Sequence, residues 1–396
     1  MRRESNKLSH GQYSTSLCSL TPVSAIPYHR ATLLERNHPV NRKDIGLAVI
    51  GSGRIGSLRA KLASKHPSVK FLAVSDINID NAKKLADACG ADFYSADNDE
   101  VISRPEVNAV IVSTPEGEHV AAVRKALELG KPVMVEKPIA LTLSDADDIL
   151  AALKDYGGEL RIGYSRRYKE CFLRAKEQMI QGRLGKVIGG TARVYNSRAQ
   201  AFNILERDIH ATPVLDILTY YVDLMCWFLE GDRPVEIIAR GNKEIFKGYE
   251  ADDMTWAIVT FASGAIINFG VCYALPTNYP TQGQSDRVEL IGVDGCMIID
   301  DDHLNQIIYS EKGIPGTYLN RTVPMAFLGS NTGGEWAVGD FWGPIANETR
   351  AWLDHLVTGA PTVQTTPEQG RVNLETTIAV VRAVESGKPV RLPLET

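Results

Sequence analysis

The feature that most constrains this fold is a glycine loop between a strand-like segment and a helix-like segment. The apolar run 45–50 leads into Gly51-Ser52-Gly53-Arg54-Ile55-Gly56, and residues 57–65 are compatible with a helix. In such a context the first glycine permits a tight turn, the second lets a pyrophosphate approach the backbone, and the third lets the helix pack closely on the strand. The helix N-terminus then faces the phosphates. The pattern predicts a dinucleotide-binding unit.

Strand-like and helix-like segments continue to alternate after this loop. Further strands are predicted at 70–75, 108–113, 132–135 and 160–164, with helices at 116–129 and 141–156. Alternation of this kind is typical of a doubly wound, parallel sheet with helices on both faces.

Asp76 directly follows the strand predicted at 70–75. A carboxylate at this position accepts hydrogen bonds from the adenosine ribose, and it repels the 2′-phosphate of NADP. Ile77-Asn78 supplies no arginine that would neutralise it. We therefore predict NAD as the cofactor, in preference to NADP. The alternative is that Asp76 only caps the turn or helix that follows.

Glu136-Lys137-Pro138 stands at the end of the strand predicted at 132–135. Open parallel sheets bind ligands at the carboxyl ends of their strands. We therefore expect Lys137 to lie between a nicotinamide cofactor and a polyhydroxylated substrate. His119, in the first turn of the helix at 116–129, is either a structural residue or part of the cofactor side of this site.

From Arg166 onward the pattern changes to paired strands. Strand-like segments occupy 186–195, 254–261, 265–272, 287–291 and 297–300. Ser263-Gly264 and Asp294-Gly295 lie between paired segments, as hairpin turns do. Sequential hairpins predict an antiparallel sheet with one covered and one open face. We expect the open face to pair with a second subunit, in a homodimer or homotetramer.

The segment 213–229 is predicted to be a mostly apolar helix, with Thr212 as N-cap and Gly231 as its stop. Its polar side chains share one helical face because of their i, i+3, i+4, i+7 spacing: Asp216, Thr219, Tyr220 and Asp223. Carboxylates are costly to bury unless they are paired or face a wet cleft. We interpret this stripe as the wall of a substrate cleft; the alternative is a seam facing solvent.

Composition excludes several classes of protein. The chain has 396 residues, of which 44% are hydrophobic and 23% charged, as expected for a globular protein of two domains. A net charge of -5 argues against a nucleic-acid partner, and no apolar stretch is long enough for a membrane span. The 6 scattered cysteines lack metal-ligand spacing, so we predict free thiols, no metal and a cytoplasmic protein.

Residues 1–44 differ from the rest, being rich in Ser, Thr, Arg and His without hydrophobic periodicity. Arg2-Arg3 could begin a twin-arginine export signal, but polar residues and Pro22 interrupt the apolar segment that should follow. The composition is also compatible with a transit peptide. We expect a disordered extension or an arm on a neighbouring subunit. The predicted domains are then 45–165 and 166–396.

Together these motifs resemble the Gfo/Idh/MocA family, named for glucose–fructose oxidoreductase, inositol dehydrogenase and a rhizopine-catabolism protein. Arg166-Arg167-Tyr168, Asp252-Asp253 and 289–295 add to the resemblance, which runs from Ile45 to Leu394. It implies an N-terminal Rossmann domain plus a C-terminal α+β domain with a large, mostly antiparallel open sheet. It also implies hydride transfer between NAD and a secondary hydroxyl of a sugar, cyclitol or related diol.

The resemblance further implies a set of site residues. The cofactor-binding residues are Gly51, Gly53, Arg54, Ile55, Gly56, Asp76, Ser113, Thr114, Pro115, His119, Glu136 and Lys137. The substrate-binding residues are Lys137, Arg167, His210, Asp216 and Tyr220, and of these Lys137, Asp216 and Tyr220 are catalytic. Asp223 is a further candidate for substrate contact.

One residue departs from the family pattern, which has Asp, three residues and then His where this chain has Asp216 and Tyr220. Branches resembling glucose–fructose oxidoreductase and dimeric dihydrodiol dehydrogenase also carry tyrosine there. A phenol with a pKa near 10 is a weak base at neutral pH, so we expect Lys137 to lower it. Lys137 would also stabilise the reacting oxygen, with Asp216 holding it. Lys137 or His210 remain alternatives for moving the proton.

Two other functions are compatible with these motifs. An NAD-dependent glycoside-cleaving enzyme, which oxidises its substrate transiently, would need the same lysine and cofactor. A non-catalytic dinucleotide-binding sensor, like a fungal transcriptional repressor of this family, would not need both Lys137 and Asp216.

Overall fold

The structure is a computed structural model that describes residues 43–206, 209–277, 284–300, 307–315, 322–327, 335–337 and 340–394. The predicted extension at 1–44 therefore lies outside the described residues, apart from its last two positions. In the part of the chain that is described, no helix has the length and apolar character that crossing a membrane requires.

Six parallel strands form the first sheet, in the order β3-β2-β1-β4-β5-β6. They are β1 (Ile45–Ile50), β2 (Val69–Ser75), β3 (Phe93–Ser95), β4 (Ala109–Val112), β5 (Val133–Glu136) and β6 (Leu160–Gly163). The intervening helices are α1 (Arg54–Ala63), α2 (Ile79–Cys89), α3 (Asn98–Ser103), α4 (His119–Glu128) and α5 (Leu143–Tyr156). All six residues of β1 are buried, because helices cover both faces of a parallel sheet. The predicted doubly wound sheet is confirmed.

Two helices of this region, α2 and α3, are absent from the prediction. Each begins at a side-chain cap that is visible in the sequence. The Asn78 side chain accepts from the backbone N–H of Asp80, and the Asp97 carboxylate accepts from those of Asp99 and Glu100. These caps were the local signal that could have located both helices.

Nine strands form the second sheet, in the order β14-β13-β12-β11-β7-β10-β9-β8-β17. They are β7 (Val187–Ser197), β8 (Pro234–Asn242), β9 (Met254–Phe261), β10 (Ile266–Leu275), β11 (Gln284–Gly292), β12 (Gly295–Asp300), β13 (Ile307–Pro315), β14 (Thr322–Phe327) and β17 (Val390–Arg391). A small hairpin of β15 (Glu335–Ala337) and β16 (Asp340–Trp342) stands apart. Neighbouring strands are antiparallel except β7 and β10, so the predicted mostly antiparallel sheet is confirmed.

One face of this second sheet is open. Large apolar side chains are exposed there by 39–53%: Ile188, Ile238, Trp256, Ile258, Ile266 and Ile291. Their neighbours along the strands, such as Ile237, Ala257 and Ile267, are buried on the other face. The remaining helices are α6 (Glu170–Ile180), α7 (Arg198–Leu205), α8 (Thr219–Phe228), α9 (Pro344–Thr358) and α10 (Pro367–Ser386).

The helix predicted at 213–229 is not uniform. Val214–Leu218 is a π-helical turn, and α8 continues from it to Phe228. The Thr212 hydroxyl caps the start by accepting from the Leu215 backbone N–H, and Gly231 ends the run at φ +93°. A π turn is wider than an α turn and changes the register of the side chains after it. The prediction of a regular helix was therefore wrong for its first turn. Asp216, Thr219, Tyr220 and Asp223 nevertheless all contact the segments that follow β5 and β6, at Lys137, Tyr164 and Arg167.

Helix α9 connects the two parts of the chain. Its Trp352 and Leu353 are fully buried in the same cluster as Leu47, Val49 and Ala60 of the first sheet and its first helix. Thr365 also forms a bridge with Ile162 at the edge of that sheet. The layers around the first sheet therefore include residues far beyond position 165.

Candidate active site

The glycine loop has the shape that a dinucleotide requires. Gly51 has φ +93°, and a Cβ there would lie 2.6 Å from the Ser113 carbonyl oxygen. A Cβ on Gly56 would lie 1.9 Å from the Gly51 carbonyl oxygen, so only glycine permits this packing. Beside Gly53, in contrast, a Cβ would meet nothing within 4 Å. Gly53 is the N-cap of α1 and offers no side chain to its first N–H groups, which leaves them for an anion.

Asp76 holds this loop from the end of β2. Its Oδ2 accepts from the Ser52 backbone N–H at 2.9 Å, and its Oδ1 accepts from the Asn78 N–H at 2.9 Å. The cap of α2 is Asn78, so Asp76 is not the helix cap that the alternative reading required. Its second contact is nevertheless a turn contact. The carboxylate is half-buried at the edge of the loop, where a ribose would meet it.

Two hydroxyls at the end of β4 also fit a bound cofactor. Ser113 Oγ and Thr114 Oγ1 are buried and have no hydrogen-bond partner among the described residues. An unpaired buried hydroxyl costs about 1–3 kcal/mol, so such groups are usually explained by a ligand or water. Arg54 and Pro115 are exposed at the same strand ends, and Ile55 is half-buried. These groups fit the predicted dinucleotide.

His119 is fully buried between two backbone carbonyls. Its Nδ1 lies 3.1 Å from the Pro138 oxygen, and its Nε2 lies 3.2 Å from the Thr114 oxygen. Burial lowers its pKa, so the imidazole is neutral at physiological pH. The ring joins the end of β4 to the segment after Lys137, which supports the structural reading of this residue.

Lys137 meets Asp216 across the two halves of the chain. Its Nζ donates to the Asp216 backbone oxygen at 2.7 Å and to Oδ1 at 3.1 Å. The lysine side chain is 11% exposed and the aspartate 27%, so the pair is partly open to the cleft. Asp216 lies in the π-helical turn, and its backbone oxygen and Oδ1 both face the lysine. Such turns are frequent at functional sites.

Tyr220 stands beside this pair. Its ring centroid lies 5.0 Å from Lys137 Nζ and 5.6 Å from the Arg166 guanidinium carbon, and Tyr164 packs edge-on at 5.9 Å. Both cations lie over the aromatic ring, which is favourable because of its negative face. The structure thus brings together the three residues that were predicted to be catalytic.

The protonation states differ from the expectation in one respect. Burial lowers the pKa of Lys137, but attraction to Asp216, Tyr220 and Glu116 outweighs it, so its pKa is raised and the ammonium persists. Burial raises the pKa of Tyr220, and Lys137 offsets this only in part. The prediction that Lys137 brings the phenol below its ordinary pKa was therefore wrong, because burial is the larger effect.

Tyr273 is a site residue that sequence reasoning missed. It lies on β10, fully buried, and its hydroxyl donates to Asp216 Oδ2 at 2.7 Å. Arg166, in the 3-10 turn Ser165–Tyr168, is a second one. The sequence placed Arg166 in a family motif, but neither residue carries a local signal of its contact. The Tyr273 contact depends on how β10 packs against the π turn, and the Arg166 contact depends on how the 3-10 turn packs against α8.

Arg167 and Asp223 form a separate, closed network. Arg167 donates to both oxygens of Asp223, at 2.7 and 2.6 Å, and the two side chains are 2% and 0% exposed. Thr365 and Asn373 also donate to Asp223, at 3.0 and 2.7 Å. The expectation that Arg167 and Asp223 contact the substrate needs correction, because their charges are satisfied inside the core.

His210 lies outside this group of contacts. Its side chain is 72% exposed in the turn before Thr212, with Nδ1 2.7 Å from Glu250 Oε1. The structure shows it beside a surface carboxylate, which favours the reading as a loop histidine.

Comparison with protein families bears on the identity of this site. The family model GFO_IDH_MocA, described as an oxidoreductase family with an NAD-binding Rossmann fold, matches residues 45–164. The model of its C-terminal alpha/beta domain matches residues 176–392. The chain belongs to the Gfo/Idh/MocA oxidoreductase family. It is thus an NAD-dependent enzyme of the class that acts on CH–OH groups, as the sequence motifs indicated.

Individual Gfo/Idh/MocA relatives give a narrower context. The chain is 28% identical over 272 residues to the scyllo-inositol 2-dehydrogenase (NAD(+)) of Bacillus subtilis (strain 168), covering 67% of this chain and 77% of that protein. It is 27% identical over 279 residues to the 2,7-anhydro-N-acetylneuraminate hydratase of Mediterraneibacter gnavus, covering 68% and 74%. The fold matches that of scyllo-inositol dehydrogenase from Lactobacillus casei, solved with NAD(H) and scyllo-inositol, at a TM-score of 0.70 and 18% identity, covering 88% and 99%.

Proposed function

We propose that the protein transfers hydride between NAD and a secondary hydroxyl of a sugar, cyclitol or related diol. Lys137 and Tyr220 act at the reacting oxygen, and Asp216 holds Lys137. The observation that carries this proposal is the partly exposed Lys137–Asp216 pair at the end of β5, on the edge of the sheet that bears the glycine loop.

Lys137 has the charge and the spare donor that this role needs. An ammonium has three N–H groups, and two of them are directed to the Asp216 oxygens. The third can donate to a substrate oxygen and stabilise the negative charge that develops on it during oxidation. Asp216 in turn is held by Lys137 and by the Tyr273 hydroxyl, so the lysine is positioned before substrate binds.

Tyr220 is proposed to handle the proton. Its raised pKa keeps the phenol protonated at neutral pH, ready to donate to a carbonyl oxygen in the direction of reduction. In the direction of oxidation the same group must first lose its proton, so the substrate hydroxyl can pass a proton to the phenolate. When bound, the reduced cofactor NADH would supply the hydride for reduction, and the oxidised cofactor NAD would take it up in oxidation. The alternatives Lys137 and His210 have less support, because one is held as an ammonium and the other is at the surface.

The cofactor is proposed to lie along the ends of β1, β2, β4 and β5. The α1 N-terminus at Gly53 would hold the pyrophosphate, Asp76 the adenosine ribose, and Ser113, Thr114 and Glu136 the remainder. The Asp76 carboxylate supports NAD over NADP, since it is fixed toward Ser52 of the phosphate loop.

The open face of the second sheet is proposed to pair with a second copy of the chain, in a homodimer or homotetramer. Exposed isoleucines and Trp256 on β7–β11 support this, because monomers rarely expose contiguous apolar patches. Sedimentation velocity would test it: a monomer at micromolar concentration contradicts this assembly without affecting the proposed chemistry.

A substrate panel tests the proposed activity. The protein is incubated with NAD and separate sugars, inositols and glycosides, while NADH absorbance and glycoside cleavage are both measured. Net NADH formation with an unmodified polyol is the expected result. Cleaved glycoside without net NADH would instead support a glycoside-cleaving enzyme. NAD binding with neither reaction would support the sensor.

A further inference from the structure

A buried ion cluster lies beneath the Glu136-Lys137 segment. Arg59 of α1 is fully buried between two carboxylates, Glu136 at the end of β5 and Glu348 of α9. Arg59 Nε donates to Glu136 Oε1 at 2.7 Å, and its terminal nitrogen donates to Glu348 Oε2 at 2.6 Å. Its other terminal nitrogen donates to the Thr349 hydroxyl at 2.8 Å. The cluster thus joins the helix of the phosphate loop, the strand of Lys137 and a helix from the far end of the chain.

The charges in this cluster do not balance. One guanidinium faces two carboxylates, which leaves one excess negative charge when both are ionised. Glu136 alone would neutralise Arg59. Glu348 Oε1 is buried without a hydrogen-bond partner among the described residues, so this carboxylate is only half satisfied. A glutamine could fill the same space without the charge. The excess negative charge therefore indicates that Glu348 does more than fill space in the core.

Glu136 connects the cluster to the cleft. Its side chain is 15% exposed, whereas those of Arg59 and Glu348 are 1% exposed. Glycine at position 163 makes room for it, because a Cβ there would lie 3.1 Å from Glu136 Oε2. Glu136 is thus the member of the cluster that is next to Lys137 and open to a ligand.

We propose that Arg59 and Glu348 are positioning residues that set the charge beside the nicotinamide, so that the cluster favours the positively charged oxidised cofactor over the neutral reduced one. Arg59 orients the Glu136 carboxylate, and Glu348 supplies the second negative charge. The proposal rests on the proposed function in one respect, the placement of the nicotinamide beside Lys137.

The second charge depends on pH in the neutral range. Burial raises the pKa of Glu348 to about 7; Arg59 opposes this, while Glu136 and Asp223 add to it. Tyr168 is a further titratable group near this carboxylate, and the charge of Glu348 contributes to the raised pKa of Tyr168. Below this pKa the cluster is neutral, and above it the cluster carries one negative charge. The preference for oxidised over reduced cofactor must then increase as pH rises through about 7.

Binding measurements without substrate test this inference separately from catalysis. The Kd values of NAD and NADH are measured for the wild type and for Glu348→Gln on both sides of that pKa. We expect the wild-type ratio Kd(NADH)/Kd(NAD) to increase on the order of 10-fold between acidic and alkaline buffer, as one added charge predicts. Glu348→Gln should hold the ratio near its low-pH value throughout. Asp147→Asn, which removes a surface carboxylate paired with Arg371, is the matched control and should behave as wild type.

A second measurement needs only the wild type and so does not depend on the variant folding. Titration calorimetry near pH 7 in two buffers of different ionisation enthalpy counts the protons exchanged on binding. NAD should release a fraction of a proton, and NADH should release less. A wild-type ratio that is independent of pH, equal proton release by both cofactors, or pH dependence that survives in Glu348→Gln would each overturn the proposal. None of these outcomes depends on turnover, so failure of the proposed activity remains distinguishable.

Discussion

Two ion pairs each take their carboxylate from the helical segment 214–228, and they differ in exposure and in their further hydrogen bonds. Lys137 and Asp216 are 11% and 27% exposed, and among the described residues the lysine uses two of its three N–H groups, both on Asp216. Arg167 and Asp223 are 2% and 0% exposed, and Thr365 and Asn373 complete the coordination of the carboxylate. The Lys137–Asp216 pair is therefore fixed in position but still partly accessible to a ligand. The Arg167–Asp223 pair is buried and is not accessible to a ligand.

This difference shows how to tell a carboxylate that belongs to the site from one that only stabilises the fold. Sequence spacing alone put Asp216 and Asp223 on one stripe. A fully buried ion pair helps to hold secondary-structure elements together, and loss of one partner leaves the other charge buried and uncompensated. A pair with spare hydrogen-bonding capacity at a strand end is suited to binding and catalysis. Four substitutions separate these two roles.

The largest effect is expected from Lys137→Ala. It removes the charge that stabilises the reacting oxygen, so turnover should fall by about 10³-fold or more. The melting temperature should fall, but by less than in Asp223→Ala, because the Lys137–Asp216 pair is partly open to the cleft. NAD binding should persist, because the phosphate loop is intact. Steady-state rates, thermal melts and NAD titration on one preparation test all three. Normal turnover in this variant would refute the proposed site.

Asp223→Ala should have the opposite profile. It leaves the buried Arg167 without a counter-charge, which costs about 3–5 kcal/mol of unfolding free energy. Urea denaturation of the wild type and the variant measures this. If the variant is as stable as the wild type but inactive, then Asp223 belongs to the site and the comparison fails.

Tyr220→Phe should reduce turnover by about 10²-fold, because it removes the proton carrier but keeps the aromatic ring near Lys137 and Arg166. The pKa of Tyr220 is raised, so the wild-type rate of alcohol oxidation should keep rising with pH to beyond about 10, the ordinary value. The variant should lose this alkaline rise. A pH profile identical to that of the wild type would move the proton to another group.

Tyr273→Phe should have the smallest effect, about 10-fold on turnover, since one hydrogen bond to Asp216 is worth roughly 1–1.5 kcal/mol. Asp216 keeps its contact to Lys137, so stability should fall only slightly. A matched Tyr164→Phe removes a different buried hydroxyl, one that pairs with Thr219. Equal losses of activity in both variants would mean that Tyr273 acts only through packing.

Local motifs predicted much of this molecule, and long-range packing supplied the rest. The Gly51–Gly56 loop, Asp76 and Lys137 lie at strand ends whose position follows from strand–helix alternation. Asp216 and Tyr220 are a short spacing apart, so their proximity was also predictable. Tyr273 and Glu348 were not, because each meets the site through the packing of elements that lie far apart in the chain.

Two predictions, the regular helix at 213–229 and the lowered pKa of Tyr220, were wrong for physical reasons that cannot be seen in a single sequence. A π turn at Val214–Leu218 replaces the first turn of the predicted α-helix, but helix propensity does not distinguish π from α turns in an apolar run. The pKa of Tyr220 was expected to follow its nearest cation. Its burial, which depends on the surrounding fold, had the larger effect.

Helix α9 has a consequence for how the chain reaches its native state. During synthesis the whole 45–165 segment emerges before Trp352 and Leu353, which cover the face of its sheet that bears Leu47 and Val49. Helices α1 and α2 cover only part of that apolar face, and the rest of it stays uncovered until nearly the whole second half has been made. A fragment cut at residue 165 should therefore expose the part of this face that Trp352 and Leu353 cover, and it should aggregate more readily than the whole chain. Because α9 belongs to the core of the first sheet, an exchange of the first half between relatives would have to include α9 as well.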